Sequence, residues 1–282
     1  MMKKERLDKH LVDLGFFDSR EKAKKAIMAG MVEIDGQCRT KAGDQVPADL
    51  QAAAITVKGD PVPYVSRGGL KLEKGLAVFD FPVEGRTFLD IGASTGGFTD
   101  CLLQNGAGRV IAVDVGYGQF DWSLRNDTRV VCMERTNFRY LTLEQIGGEP
   151  VDGTVMDVSF ISIVKMLPVI YELTRDGGMG IWLIKPQFEA GREAVGKHGV
   201  VRDPAIHQRV IEQTVQAIAA QGFDLLGLDY SPVRGPKGNI EFLCWTRKGT
   251  GTEPPAMTVD EKAIAALVAR AHEELCGEHG NE

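Results

Sequence analysis

Hydrophobic residues near the N-terminus recur at helical spacing and then give way to short strand patterns. Leucines at positions 7, 11 and 14 predict a helix over Arg6–Gly15, and a second helix is predicted over Arg20–Gly30. Asp18-Ser19 can cap the second helix, and a glycine ends each one. A strand-rich run with an Asp-Gly turn follows, from Val32 to Val57. The pattern predicts a small α+β module.

Further along the chain, buried-looking strands alternate with helical stretches. The predicted strands are Thr87–Ile91, Val110–Val113, Val130–Met133, Gly153–Met156, Met179–Ile184, Gly227–Ser231 and Ile240–Thr246. This alternation is typical of a largely parallel sheet with helices on both faces, here with two late strands that can pair antiparallel. We therefore predict a doubly wound α/β domain behind the small module.

Prolines mark the boundary between the two parts. Asp60-Pro61-Val62-Pro63 predicts a stiff connector, because each proline fixes its own backbone and biases the preceding residue toward extended geometry. We expect the small module at residues 1–60, a linker at 61–64 and the α/β domain at 65–248. Residues 249–282 should form a second linker and a last amphipathic helix, over about Val259–Leu275, which we expect to dock on the α/β domain.

The net charge of −6 hides an asymmetry along the chain. Residues 1–71 carry 13 Lys and Arg against 10 Asp and Glu, a balance of +3, and the remainder carries 20 against 29. Basic residues crowd the two predicted helices of the small module: Arg6, Lys9, Arg20, Lys22, Lys24 and Lys25. From charge alone, these residues form either a nucleic-acid-binding face or an ordinary solvated surface.

Several protein classes are disfavoured by composition. The longest apolar runs are strand-length and too short to span a bilayer, so we expect no membrane association. Met1–His10 is charged and lacks the apolar run of a secretory signal, which favours a cytoplasmic protein. The five cysteines include no CxxC pair, and the five histidines form no ligand pattern. We predict neither a disulfide framework nor a metal site.

The stretch TFLDIGASTGGFTDCLLQNGAGRVIAVDVG indicates a nucleoside site. One strand ends in Asp90, glycines at 92, 96 and 97 form a turn into a helix, and the next strand ends in Asp114, whose carboxylate can bind ribose hydroxyls. The glycine order is GxxxGG and not the GxGxxG of dinucleotide sites, and Asp90 would repel a pyrophosphate. We expect any side chain at Gly96 to fill space that the ligand needs.

Four further polar residues lie where a doubly wound sheet presents the ends of its strands. They are Lys71, Asp157, Lys185 and Glu241. Each one alone has an ordinary structural explanation: a helix surface charge, a cap, a strand-end lysine or an edge charge. Together they are candidates for a catalytic group.

These motifs resemble known families. SREKAKKAIMAGMVEIDGQ resembles the S4 RNA-binding domain, DIGASTGG resembles the DxGxxxGG motif of class I methyltransferases, and the four polar residues resemble the Lys-Asp-Lys-Glu tetrad of FtsJ-like ribose methyltransferases. Over residues 5–248 the chain resembles the TlyA, or hemolysin A-like, family, which joins these two domains. Matching stretches include SRGGLKL, MDVSFIS, IKPQFE and HGVVRDP.

The resemblance implies S-adenosylmethionine-dependent 2'-O-methylation of cytidine in ribosomal RNA, on the large subunit and in some members also the small. It implies a cofactor site formed by Asp90, Gly92, Ser94, Thr95, Gly96, Gly97, Phe98, Asp114, Thr136, Asn137 and Asp157. The partner would be ribosomal RNA or a ribosomal subunit. The motifs leave open which of these is bound, which nucleotide is modified, and the oligomeric state.

A ribose hydroxyl must lose its proton as it attacks a methyl group, so a base is needed. Lys185 is our candidate, because burial and a neighbouring cation both favour neutral lysine. Lys71 would favour the neutral form of Lys185 or stabilise the developing oxyanion, while Asp157 and Glu241 would orient the lysines and the hydroxyl.

The segment Gln187–Asp203 follows the candidate base and contains three glycines. It is either a mobile surface loop or a lid that contacts the substrate. We expect the lid, with RNA phosphates held by Arg67, Arg192, Lys197 and Arg202.

Two other functions compete with the enzyme. The chain could be a ribosome-binding or assembly factor whose methyltransferase fold no longer catalyses, but the intact tetrad counts against this hypothesis. A membrane-active cytolysin, which the older family name suggests, has little support because the sequence offers neither a spanning segment nor a strongly hydrophobic amphipathic helix with a basic face.

Overall fold

A computed structural model describes residues 4–17, 19–28, 30–57, 62–196, 198–235 and 237–276. The chain divides into two compact units, residues 1–63 and residues 64–282. The predicted connector at Asp60-Pro61 falls outside the described residues. Among the residues described, no helix has the length and apolar character needed to cross a membrane.

The first unit is the predicted α+β module. It comprises β1 (Lys4–Arg6), α1 (Leu7–Asp13), α2 (Arg20–Met28), β2 (Val32–Ile34), β3 (Gln37–Arg39), β4 (Gln45–Pro47) and β5 (Ile55–Val57). Strands β3, β2 and β5 form an antiparallel sheet, and β1 pairs with β4. Both helices end near glycines with positive φ, +79° at Gly15 and +72° at Gly30, as predicted.

The second unit is built on a mixed sheet of the Rossmann-like type, which confirms the predicted α/β fold. Its elements are α3 (Gly68–Val78), β6 (Thr87–Ile91), α4 (Gly97–Gln104), β7 (Arg109–Val113), α5 (Trp122–Arg125), β8 (Val130–Met133), β9 (Val151–Met156), α6 (Leu167–Leu173), β10 (Thr174–Ile184), α7 (Pro186–Glu189), α8 (Pro204–Ala220), β11 (Phe223–Tyr230), β12 (Phe242–Lys248) and α9 (Glu261–Cys276). The strand order is β11-β12-β10-β9-β6-β7-β8.

The register of this sheet determines where its strands end. Strands β6, β7, β8, β9 and β10 pair in parallel, and β12 pairs antiparallel with both β10 and β11. Because β12 runs against β10, its first residue, Phe242, lies opposite Ile184, the last residue of β10. The start of β12 therefore lies at the same sheet edge as the carboxyl ends of the parallel strands.

Two strands begin at least four residues earlier than predicted. Strand β10 begins at Thr174, and β11 begins at Phe223 and contains a bulge between Leu225 and Gly227. The extension of β11 includes a charged residue, Asp224, that no apolar pattern would reveal. Its carboxylate pairs with Arg247 on the adjacent strand at 2.7 Å, so the charge is neutralised across the sheet.

Helix α9 docks on the α/β unit, as its amphipathic pattern predicted. Ile264, Leu267, Val268 and Ala271 are buried in the main hydrophobic core. The buried ring of His207 on α8 lies 2.9 Å from His272 on α9, measured between Nδ1 and Nε2. Burial, and then the neighbouring His272, lowers the pKa of His207 to about 4.

Candidate functional site

The fold brings Lys71, Asp157, Lys185 and Glu241 together. The Nζ atom of Lys71 lies 2.6 Å from Oε2 of Glu241 and 3.2 Å from Oδ2 of Asp157. Lys185 forms an ion pair with the other oxygen of Asp157 and donates a hydrogen bond to Oγ of Ser159 at 3.1 Å. One carboxylate, that of Asp157, therefore contacts both lysines.

The sheet explains this convergence. Asp157 follows β9, Lys185 follows β10, and Glu241 precedes the antiparallel β12, so all three lie at one sheet edge. Lys71 reaches them from α3. The Glu241 side chain is 1% exposed, and those of Lys71 and Lys185 are 10% and 7% exposed. Charges buried to this extent need partners, and here two cations meet two carboxylates.

One of the two roles expected for Lys71, an effect on Lys185, has to act past the Asp157 carboxylate, which contacts both lysines. Burial lowers the pKa of Lys71, but the charges of Asp157 and Glu241 outweigh it, so the net shift of the Lys71 pKa is upward. Lys71 is therefore a stable cation. Because Asp157 contacts both lysines, it screens the effect of Lys71 on Lys185.

Glu241 has a second partner, Gln187, which lies in the predicted lid. Nε2 of Gln187 donates to Oε1 of Glu241 at 3.1 Å. A glycine is needed close by, since a Cβ at position 235 would lie 2.6 Å from the same Oε1. The loop before β12 and the start of α7 thus enclose the Glu241 carboxylate.

The glycine turn after β6 lies where it was predicted, but glycine is required at position 96 for a different reason. Gly96 has φ +96°, and a Cβ built there would lie 2.4 Å from Cδ1 of Leu124 and 3.0 Å from the ring of Phe120. The expected clash with ligand space is therefore wrong. Gly96 is required by the left-handed turn and by the close approach of α5. Gly97 is similarly crowded, by Ser66 and Gly69.

Asp114 follows β7 and organises the same turn. Its Oδ2 accepts a hydrogen bond from the backbone N–H of Ser94 at 2.8 Å, and its Oδ1 accepts one from Gly116 N at 2.6 Å. Gln119 donates to Oδ1 at 3.3 Å. A carboxylate has more lone pairs than these bonds use, so Asp114 can still accept from a ribose hydroxyl.

Asp90 lies beneath the turn and not on a pocket wall. It is fully buried, and Oγ1 of Thr99 donates to its Oδ2 at 2.6 Å. Within the described part of the chain, Oδ1 has no hydrogen-bond partner. Burial first, and then the charge of Asp157, raises the pKa of Asp90 to about 7 despite the Thr99 bond.

Two adjoining pockets lie at this edge of the sheet, with volumes of about 300 and 550 Å³. Their walls share Gly92, Ser94, Asp157 and Ser159. The smaller contains Lys71, Lys185, Thr95, Gly97, Phe98 and Arg67. The larger contains Asp114, Thr136 and Asn137. Of the predicted cofactor residues, Asp90 and Gly96 line neither pocket.

Sequence reasoning missed several residues around these pockets. Ser159 contacts Lys185, and Val158–Ile161 lines the larger pocket, although only a family motif marks this stretch. Phe160 is 90% exposed, has φ +65°, and its ring lies 5.3 Å from that of Phe188. An exposed ring on a pocket rim can stack on a nucleotide base.

The predicted RNA-binding residues of the first unit lie on its surface: Arg6, Lys9, Arg20, Lys22, Lys24 and Lys25. Lys9 differs from expectation, because its Nζ lies 2.6 Å from Glu5 and 2.8 Å from Asp13. Two carboxylates already neutralise Lys9, so it is a weaker candidate for a phosphate contact.

In the second unit, Arg67 lines the smaller pocket and Arg202 is exposed. Lys197 and the side chain of Arg192 fall outside the described residues. The predicted lid contains all of α7 except Pro186. Near the end of the lid, Val201 N donates a hydrogen bond to Oδ1 of Asn239 at 2.9 Å.

Comparisons with known proteins identify the family. Residues 64–248 match the FtsJ-like methyltransferases, and residues 5–51 match the S4 domain. The chain is 50% identical over 277 residues to the Bacillus subtilis protein named "Putative rRNA methyltransferase YqxC", covering 97% of this chain and 96% of that protein. It is 44% identical over 267 residues to "16S/23S rRNA (cytidine-2'-O)-methyltransferase TlyA" of Mycobacterium tuberculosis, covering 95% and 98%.

A solved structure agrees with this relationship. The structure titled "Putative hemolysin from Streptococcus thermophilus" matches with a TM-score of 0.77 and 44% sequence identity, over 99% of both chains. The two matched domains and the full-length relatives lead to one conclusion: the chain belongs to the TlyA, or hemolysin A-like, family, in which an S4 domain is joined to an FtsJ-like methyltransferase domain.

Proposed function

We propose that the chain transfers a methyl group from S-adenosylmethionine to the ribose 2'-hydroxyl of cytidine in ribosomal RNA. The observation that carries this proposal is the buried contact of Lys71 and Lys185 with the Asp157 carboxylate, on the wall of a pocket that adjoins a second, larger one. A reaction centre beside a nucleoside-sized pocket suits transfer between two nucleosides.

The residues fit S-adenosylmethionine. Asp114 and Asn137 would hold the ribose and adenine side in the larger pocket, and Gly92 to Phe98 would hold the methionine portion. Asp114 lines the larger pocket and keeps lone pairs that can accept hydrogen bonds from ribose hydroxyls, and this supports the fit. When bound, S-adenosylmethionine supplies a methyl group activated by its sulfonium.

Lys185 accepts the proton of the 2'-hydroxyl in this proposal. Lys71 has two carboxylate partners and Lys185 has one, so release of the Lys185 proton disrupts one ion pair and release of the Lys71 proton disrupts two. Lys185 is therefore the better base. Lys71 remains cationic and stabilises negative charge developing on the hydroxyl oxygen, while Asp157 and Glu241 hold the two lysines in place.

The RNA substrate is inferred from two features. The S4 domain supplies a surface with several basic residues, and the Mycobacterium relative is named for cytidine in 16S and 23S rRNA. Near the reaction centre, Arg67 can contact a phosphate and the exposed face of Phe160 can stack on the target base.

In the test, the full chain and methyl-labelled S-adenosylmethionine are incubated together with one RNA substrate at a time. The substrates are naked ribosomal RNA, small subunits and large subunits. We expect label in RNA from at least one of these, recovered as 2'-O-methylcytidine after nuclease digestion. Label on a base, or no label in any RNA despite S-adenosylmethionine binding, would refute the proposal. The second of these outcomes would favour the assembly-factor hypothesis.

A further inference from the structure

Two arginines of the first unit converge on one buried carboxylate. Arg6 donates to Asp8 from Nε at 3.0 Å and from Nη2 at 2.8 Å. Arg20 donates from Nη2 to Oδ2 of Asp8 at 3.1 Å. The Asp8 side chain is 4% exposed, whereas those of Arg6 and Arg20 are 49% and 55% exposed. The carboxylate is thus buried beneath two half-exposed guanidinium groups.

The carboxylate of Asp8 is ionised in the folded protein. Hydrogen bonds from Arg6, opposed by burial and assisted by Arg20, lower the pKa of Asp8 to about 2. Its Oδ1 also accepts the backbone N–H of Lys9 at 2.9 Å, which fixes the carboxylate at the start of α1. The two arginines are therefore tied to a rigid point of the backbone.

This arrangement suits recognition of an anion. Arg6 precedes α1 and Arg20 begins α2, so two separate elements present guanidinium groups at one place. Arginine has five N–H donors, and the bonds to Asp8 use two of those on Arg6 and one on Arg20. The group of three carries a net charge of +1, and its exposed side is formed by the guanidinium groups.

We propose that Asp8 is a positioning residue for RNA binding, which holds Arg6 and Arg20 as a preorganised pair that contacts the RNA backbone phosphate. The inference rests on the proposed RNA substrate. Two arginine side chains held in place lose less conformational entropy on binding than two free ones. The planar donors of their guanidinium groups also match the geometry of phosphate oxygens.

Asp13 provides a matched comparison on the same helix. It pairs with Lys9 at 2.8 Å, and its side chain is 51% exposed. Replacing either acid by its amide removes one negative charge from the same small unit. If charge alone determined RNA affinity, both replacements would tighten binding. If Asp8 positions the arginines, Asp8→Asn weakens binding, because an amide NH₂ cannot accept the guanidinium bonds.

The experiment measures binding of full-length wild type, Asp8→Asn and Asp13→Asn to ribosomal RNA over a range of salt concentrations. We expect Asp8→Asn to bind about tenfold more weakly, with a salt slope reduced by about 0.7–0.9 for each phosphate that the arginines no longer neutralise. Asp13→Asn should bind as tightly as wild type or up to about twofold more tightly. Asp8→Asn binding as tightly as wild type would overturn the proposal.

A second variant is needed if Asp8→Asn unfolds the first unit, which would be seen as loss of that unit's unfolding transition. Arg6→Lys with Arg20→Lys keeps both charges and removes the two forks, so it should also weaken binding. Unchanged affinity in this double variant would overturn the proposal. Failure of the wild type to bind any ribosomal RNA would overturn the proposed substrate. Wild-type affinity in either variant would overturn only the positioning role of Asp8.

Discussion

The ammonium of Lys71 lies 2.6 Å from the carboxylate of Glu241, a residue 170 positions further along the chain. This contact joins α3 to the start of β12, and both residues are buried. Asp157 links Lys71 to Lys185, so the four groups form one continuous network. The network forms only when strands β9, β10 and β12 are all in register, so it depends on correct folding of this part of the sheet.

The first prediction concerns the stability of this network. Lys71→Met leaves Glu241 buried without its cation, and loss of one partner of such a pair costs about 3–5 kcal/mol. The double variant, Lys71→Met with Glu241→Gln, should lose less unfolding free energy than the two single variants lose in sum, by at least about 1 kcal/mol. The reason is that the double variant has no uncompensated buried charge. Denaturant unfolding measures these differences.

The control for that cycle is the more exposed pair of Lys74 and Asp229, whose atoms lie 3.4 Å apart. Lys74→Met should cost no more than about 1 kcal/mol. Strictly additive effects of the Lys71 and Glu241 changes would contradict a coupled network.

The second prediction concerns the pH dependence caused by Asp90. Its pKa is about 7 in the folded protein and near its ordinary value of 3.8 when unfolded, so the folded state holds more protons between these values. Stability should therefore fall as pH rises from about 4 to about 7. Asp90→Asn keeps an acceptor for Thr99 and removes the charge. Its free energy of unfolding, relative to that of the wild type, should therefore increase with pH and level off above pH 7.

Thermal unfolding at several pH values measures that advantage. Asp127→Asn is the control, because a hydrogen bond from Arg129 lowers the pKa of Asp127 and its loss should raise stability at no pH. An Asp90→Asn advantage that is the same at pH 5 and pH 8 would show that the carboxyl is not held in its neutral form.

The third prediction separates the two costs of replacing a turn glycine. Gly96→Ala forces a Cβ against Leu124 and also places alanine at positive φ, whereas Gly118→Ala has φ +75° with open space around the new Cβ. Gly96→Ala should lose about 1–3 kcal/mol more than Gly118→Ala. Affinity for S-adenosylmethionine should fall with it, through displacement of the turn.

Calorimetric titration and denaturant unfolding of the two variants check both effects. Equal destabilisation by the two alanines would mean that packing of α5 against the turn contributes nothing.

The sequence predicts the sheet well because each strand contains a compact apolar run, although β10 and β11 extend beyond theirs. Asp157 and Lys185 directly follow such runs, so their place at the carboxyl ends of β9 and β10 can be deduced from parallel pairing. Glu241 required one further step, the antiparallel direction of β12. Helix ends were also predictable, since Gly15 and Gly30 supply the positive φ that stops each helix.

Contacts between distant segments could not be deduced in this way. The approach of Leu124 to Gly96 and the position of Ser66 over Gly97 depend on loops whose paths have no periodic pattern. The pairing of Lys9 with Glu5 and Asp13 is different, because both acids lie four residues from Lys9 and this i,i+4 spacing is visible in the sequence. These contacts are the ones that changed the interpretation of individual residues.

The role of Lys185 as the base is tested by single-turnover methyl transfer to ribosomal RNA by Lys185→Arg, with Lys74→Arg as the matched control. Arginine keeps the charge but cannot release a proton at accessible pH. Lys185→Arg should bind S-adenosylmethionine and RNA nearly as wild type does and form no 2'-O-methylcytidine, while Lys74→Arg stays active. An active Lys185→Arg variant, or a product methylated on the base of the nucleotide, would contradict this mechanism.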